Sequence, residues 1–249
     1  MSWPDQLFLL GAGVVAGIVG TAGGITSLVS FPALLMAGVP ILAANLANLV
    51  SLVLCLPGAG LASRPELAGR GRWLFRWAWL PALGSATGSV LLVSTSSGAF
   101  ERVVPFLVVA GSLVLLAQPR LDARAGGRGQ GSTPALVSGL VPVSLYNGYF
   151  GAGAGVMTLA LMLFTADPQL PRANALKNVL VGVATLASAV VLVSLRGIDW
   201  HAVVPLGIGM FAGSTIGPRV ARRVPADVLR WVVGLFGVGF AVQLFISYR

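Results

Sequence analysis

One lysine, Lys177, is the only one among 249 residues, and it lies in an apolar stretch that reads ANALKNVLVGVATLASAVVLV. A cation inside hydrocarbon costs about 2.5–3.5 kcal/mol on insertion scales, so such a group normally carries function. Asn174 and Asn178 flank it, and Asn45 and Asn48 occupy a matching stretch 129 residues earlier, with Asn48 opposite Lys177 and Asn45 opposite Asn174. The acidic residues Asp5, Glu66, Glu101, Asp122, Asp167, Asp199 and Asp227 all fall in loops or at the ends of apolar segments. A sodium or proton site built from buried carboxylates therefore has no candidate, and a cationic substrate has no counter-charge. What remains inside is one ammonium, several amides and the hydroxyls of Thr21, Thr26, Ser27, Ser51 and Thr158. That inventory suits a small oxyanion, which only accepts hydrogen bonds. The competing reading of Lys177 is a snorkelling side chain, since Arg172 is only five residues away.

The elements that must position these groups are two apolar stretches, each interrupted by glycine. The first break reads GIVGTAGG from Gly17 to Gly24, and the second reads GYFGAGAG from Gly148 to Gly155. Gly17, Gly20 and Gly24 match Gly148, Gly151 and Gly155 at an offset of 131; GSATG (Gly84 to Gly88) matches GSTIG (Gly213 to Gly217) at 129, and Arg102 matches Arg230 at 128. Ordered markers at nearly constant spacing indicate an internal duplication. Broken helices in corresponding positions of two halves point to a transporter site. Freed backbone groups at such breaks must line protein or a water-filled cavity, and half-helix N-termini favour anions. The glycine set Gly20, Gly23, Gly24, Gly151, Gly153 and Gly155, together with Asn147 beside the second bend, is expected to shape the site. Helix packing through small residues is the alternative reading of these glycines, and the preferred one for Gly84, Gly88, Gly213 and Gly217. GAGAG lacks the Lys-Ser/Thr ending and preceding strand of a nucleotide-binding loop.

Composition defines the class. Hydrophobic residues make up 56% of the chain and charged residues 9%, with mean hydropathy +0.90, whereas soluble proteins carry about 25% charged residues. The chain reads as an all-α polytopic membrane protein. About eight apolar segments are expected, at 6–38, 41–62, 73–94, 101–118, 135–165, 172–195, 200–219 and 227–247. A first repeat (1–118), a polar linker on the cytoplasmic side (119–134) and a second repeat (135–249) follow from this pattern. The net charge of +9 is confined to loop arginines, which fits the positive-inside rule rather than nucleic-acid binding. Cys55 is alone, so neither an intrachain disulfide nor a thiolate metal cluster can form. His201, between Trp200 and Ala202, reads as an interfacial histidine, and MSWPDQ lacks the basic start of a signal peptide. Neither a metal nor a cofactor is called for.

Loop charge also suggests orientation. In the first half the loop between the second and third segments is basic and the next is nearly neutral; in the second half this order reverses. If basic loops face the cytoplasm, the halves are inserted in opposite senses, each with three full spans and one broken or re-entrant hairpin. Four full crossings per half would instead make the repeats parallel.

The stretches GIVGTAGGITSLVSFPALLMAG, SLYNGYFGAGAGVMTLALMLF and RANALKN resemble the glycine-rich motifs and the lysine-bearing segment of the TauE/SafE family of sulfite exporters, bacterial permeases built from two related halves. The resemblance implies export of sulfite, sulfoacetate or a related small anion. The sequence is therefore expected to encode a multi-pass permease of the bacterial inner membrane that moves such an anion by alternating access, with Lys177, Asn48, Asn174, Asn45 and Asn147 at the site. Its partners would be the anion, the lipid bilayer and, as an open option, further copies of itself. A non-transporting membrane subunit is the alternative, and an enzyme ranks third for want of a nucleophile–base or metal constellation.

Overall fold

The computed structural model describes residues 1–125 and 131–221, and among them the chain is entirely helical. The expected last segment, with Arg230, and linker residues 126–130 lie outside the described residues. Helix α1 (Trp3–Gly23) begins at Ser2, whose side chain and that of Asp5 cap each other's backbone N–H groups. It stops at Gly24, whose φ of 78° places the chain in the left-handed region that glycine alone enters without strain. The short α2 (Thr26–Met36) follows, then α3 (Ile41–Ser51), which runs through one 3₁₀ turn (Leu52–Leu54) into α4 (Cys55–Ala62). Helices α5 (Gly71–Trp77), α6 (Trp79–Ser94) and α7 (Ser97–Ala125) complete the first half. α7 continues to Ala125, into the segment expected to be linker.

The second half opens with α8 (Thr133–Tyr149), breaks at Gly151 (φ 84°) and Gly153 (φ 81°), and resumes as the short α9 (Ala154–Thr165). Helices α10 (Leu170–Leu195) and α11 (Trp200–Ala221) follow. Both breaks fall in the glycine motifs. The pieces after them, α2 and α9, have 11 and 12 residues, or about 17–18 Å at 1.5 Å per residue, well short of the ~30 Å hydrocarbon core. The base of the α8–α9 hairpin is closed, because Gly131 N–H donates to the Thr165 carbonyl at 3.0 Å. Buried Asp167 ties this base to the loop before α5 through Arg70, and Arg172 lies 4.0 Å away. At the opposite end of the bundle, the Arg196 guanidinium after α10 donates to the Val93 carbonyl of α6 at 2.6 Å.

Four described stretches are long and apolar enough to cross a membrane: Trp3–Gly23, Ile41–Ala62, Gly71–Ser94 and Leu170–Leu195. They are held together by cross-packing between halves. α1 lies along α11 and α6 along α8. Gly209, Gly213 and Gly217 form a stripe at every fourth residue of α11, beside Leu10, Val14 and Ile18 of α1 respectively, so the two helices run parallel. Gly13 and Gly17 of α1 answer with close approaches to the Leu206 and Met210 carbonyls. Gly84 and Gly88 play the same part in α6, against Ser144 and Leu145 of α8. Without hydrophobic drive between helices in lipid, such small-residue seams supply the van der Waals contact that holds helix pairs. Near the bends, an aromatic cluster fills the gap left by the short helices, with Phe31 edge-on to Phe150 at 5.4 Å between centroids and Phe100 beside Tyr149 at 5.9 Å.

The seams predict opposite outcomes for two substitutions. Gly213→Leu drives a side chain into the Val14 backbone and is expected to destabilise the protein by about 1–3 kcal/mol or more. Gly11 of α1 has nothing within 4 Å of an added Cβ, so Gly11→Ala should stabilise by up to about 1 kcal/mol. Melting temperatures in detergent check both; equal melting of the two variants contradicts the seam.

Candidate functional site

The two breaks meet. A Cβ on Gly24 would lie 2.5 Å from the carbonyl carbon of Gly155, and one on Gly155 would lie 2.5 Å from the Gly24 carbonyl oxygen, so the bends touch backbone to backbone. Beside this contact lies a cavity of about 50 Å³; a single water needs about 10–15 Å³ on this measure, so the space suits a compact polyatomic ligand or a small cluster of waters. Matched positions of the two halves line it: Gly20 with Gly151, Gly24 with Gly155, and Leu52 with Val181. Leu56 also faces its counterpart Thr185 there, which replaces an apolar side chain by a hydroxyl.

Lys177 enters this cavity from α10 and is 2% exposed. Its Nζ donates at 3.3 Å to the Gly20 carbonyl, which also accepts the Gly24 N–H at the end of α1. Two of its three hydrogens are left for other acceptors. Among the described residues it forms no ion pair; the pairs seen join Asp167 to Arg70 and Arg172. Asn178, next along α10, is also buried and lines the cavity, and its Nδ2 has no partner. Thr26 and Ser27, in the first turn of α2, add hydroxyls and bring that helix's N-terminal end to the cavity. Gly155, in the first turn of α9, does the same from the second half.

The other expected site residues divide. Asn147 lines the cavity, its Nδ2 donating to Ser85 Oγ at 3.0 Å. Gly20, Gly24, Gly151 and Gly155 line it too, whereas Gly23 ends α1 and Gly153 caps the start of α9 without lining it. Asn174 Nδ2 is bound to the Thr21 carbonyl at 3.0 Å, and its counterpart Asn45 Nδ2 is bound to the Tyr149 carbonyl at 3.0 Å. Each asparagine thus caps the broken helix of the opposite half, and each keeps a buried Oδ1 without a partner. Asn48 is fully buried away from the cavity: its amide donates to Ser27 Oγ at 3.1 Å and its carbonyl accepts from Ser30. Asn48 orients a cavity hydroxyl rather than reaching the cavity itself.

Sequence reasoning did not single out Asn178, Thr185, Leu52 of the 3₁₀ turn or the α4 residues Cys55, Leu56 and Ala59 as lining. Asn178 was visible only as a neighbour of Lys177. The α4 stripe carries no compositional signal, because an apolar face toward a cavity and one toward lipid read alike.

The chain matches the sulfite exporter TauE/SafE family over residues 7–244. It is 32% identical over 219 residues to a probable membrane transporter protein of Haemophilus influenzae, covering 85% of this chain and 82% of that one. It is 25% identical over 244 residues to the probable membrane transporter protein ORF9 of a Sinorhizobium species, covering 95% and 91% respectively. Similarity to the probable membrane transporter protein YfcA of Escherichia coli is 23% over 163 residues, covering 65% of this chain and 60% of the relative. No solved structure matches. With apolar helices of membrane-crossing length and a family match over nearly its whole length, the chain belongs to the sulfite exporter TauE/SafE family and is a multi-pass integral membrane protein.

Proposed function

We propose that the protein is a permease of the bacterial cytoplasmic membrane that exports a small anion, such as sulfite or an organosulfonate, by alternating access. One observation carries the reading: the cavity where the two bends meet holds the buried Lys177 ammonium and the free Asn178 amide, with no carboxylate among the lining residues. A buried cation without a counter-charge is unfavourable, so the site is completed by an anionic ligand. Lys177 and Asn178 would hold its oxygens, with the Thr26 and Ser27 hydroxyls beside them and the α2 and α9 N-terminal ends adding favourable potential. Asn174, Asn45 and Asn48 would act by fixing the bends and the Ser27 hydroxyl. The relatives, all named as probable membrane transporters, support transport rather than catalysis.

Opposite insertion of the halves has support in the helix directions. The α9 end, the start of α8 and the loop before α5 are joined at one end of the bundle, through Gly131 and through Arg70 with Asp167. The ends of α6 and α10 are joined at the other through Arg196. α6, α8 and α10 therefore run the same way. α11 follows α10 after four residues and runs back, and α1 runs parallel to α11. The matched pairs α1 with α8 and α6 with α11 are then antiparallel, as an inverted repeat requires.

Flux of labelled sulfite or methanesulfonate in proteoliposomes tests the anion site. Losing a charge-assisted hydrogen bond of about 1.5–3 kcal/mol predicts roughly tenfold to hundredfold weaker binding for Lys177→Ala, with flux lost and a normal melting curve retained. Arg172→Gln, an exposed cation outside the cavity, should transport normally. Undiminished flux in Lys177→Ala removes the site. For topology, single cysteines at Ala68, Ser132 and Ala221 in a Cys55→Ala background should react from one and the same side; labelling of Ala221→Cys only from the other face contradicts inversion.

A further inference from the structure

The cavity has two chemically different walls. One is polar: Lys177, Asn178 and Thr185 of α10, with Thr26 and Ser27 of α2. The other is one face of a single helical run, because Leu52, Cys55, Leu56 and Ala59 recur at i, i+3, i+4 and i+7 through the 3₁₀ turn and α4, and all four line the cavity. This face offers a ligand no hydrogen bond. Leu52, Leu56 and Ala59 have no polar side-chain atom, and the Cys55 thiol points to the Met210 carbonyl, 4.0 Å from its Sγ. The matched α10 position of Leu56 is Thr185, so the asymmetry is built at equivalent places of the two halves. Leu56 is also seated directly on Gly182 of α10, where a Cβ would collide with its Cδ1. Leu56 therefore closes the space between the walls.

Resting on the anion reading above, we infer that the α4 face sets which anion is accepted: it selects a ligand with a charged head and a short apolar tail, and Leu56 limits the length of that tail. Sulfate presents oxygen on all sides, and pyramidal sulfite presents three oxygens and a sulfur lone pair; either anion turned to this wall loses hydration without gaining a donor or burying an alkyl group. A methyl or ethyl group turned to the same wall gains from burial. With about 0.8 kcal/mol per buried methylene, each added carbon strengthens binding about fourfold until the wall is reached. The cavity volume of about 50 Å³ leaves room for only a few carbons beyond the head group.

The test is a binding series on purified full-length protein by calorimetry: sulfite, sulfate, then methane-, ethane-, propane- and butanesulfonate. The wild type should prefer a short alkanesulfonate over sulfite, with affinity rising about fourfold per carbon and then falling sharply. Leu56→Ala should move the optimum at least one carbon longer, and Ala59→Val at least one carbon shorter. The opposite directions separate a size effect from loss of fold, and melting curves of both variants confirm the fold. Tighter binding of sulfite than of every alkanesulfonate, or an optimum unmoved in both variants, overturns the selection wall while leaving anion transport standing. Binding of no anion by the wild type overturns both.

Discussion

A helix broken inside a membrane exposes backbone groups that lipid cannot satisfy, and Asn45, Asn174 and Lys177 answer to that constraint. α1 ends at Gly23, and α10 supplies donors to its last turn: Asn174 to the Thr21 carbonyl, and Lys177 to the Gly20 carbonyl beside the Gly24 N–H. α8 ends at Tyr149, and α3 supplies Asn45. Each half closes part of its own break, through the Gly24 N–H to Gly20 in the first and the Phe150 and Gly151 N–H groups to Tyr146 in the second. The remaining donors come from the other half, which makes the two interdependent in folding as well as in the site. An unmet carbonyl at such a place costs about 1–3 kcal/mol even by protein standards.

That arrangement also explains why the cation is where it is. The carbonyl end of a helix carries partial negative charge, and an ammonium in contact with it is partly compensated without any carboxylate. Lys177 can then be held in the interior with two hydrogens directed elsewhere. In the first half, Asn48 takes the matching position and is turned instead to Ser27 and Ser30. The matched positions thus carry one charged and one neutral side chain, and the cavity is electrostatically one-sided.

Much of this was legible in the sequence, for identifiable reasons. The glycine motifs located both breaks because a bend in the left-handed region admits little else, and Gly24, Gly151 and Gly153 have positive φ. The packing role of the GSATG and GSTIG glycines followed from their four-residue spacing. The lone lysine drew attention by its rarity in an apolar run. Side-chain direction was not legible: Asn45, Asn48 and Asn174 are polar residues in apolar helices whether they face a ligand or a broken backbone. Nor could periodicity identify the α4 wall in a helix that is apolar on every side. The extension of α7 to Ala125 was missed because polar composition was read as linker, although charged residues continue a helix readily once outside lipid.

The contact between Gly24 and Gly155 has a consequence for how the two halves can diverge. Each glycine occupies the space that a side chain on the other would need. A substitution at either position is blocked by a residue that is itself the counterpart of the one being changed. Some other matched positions differ, as at Asn48 and Lys177 or Leu56 and Thr185. At this contact each position restricts its matched position to glycine, so the two bends are sterically coupled to each other in residue type.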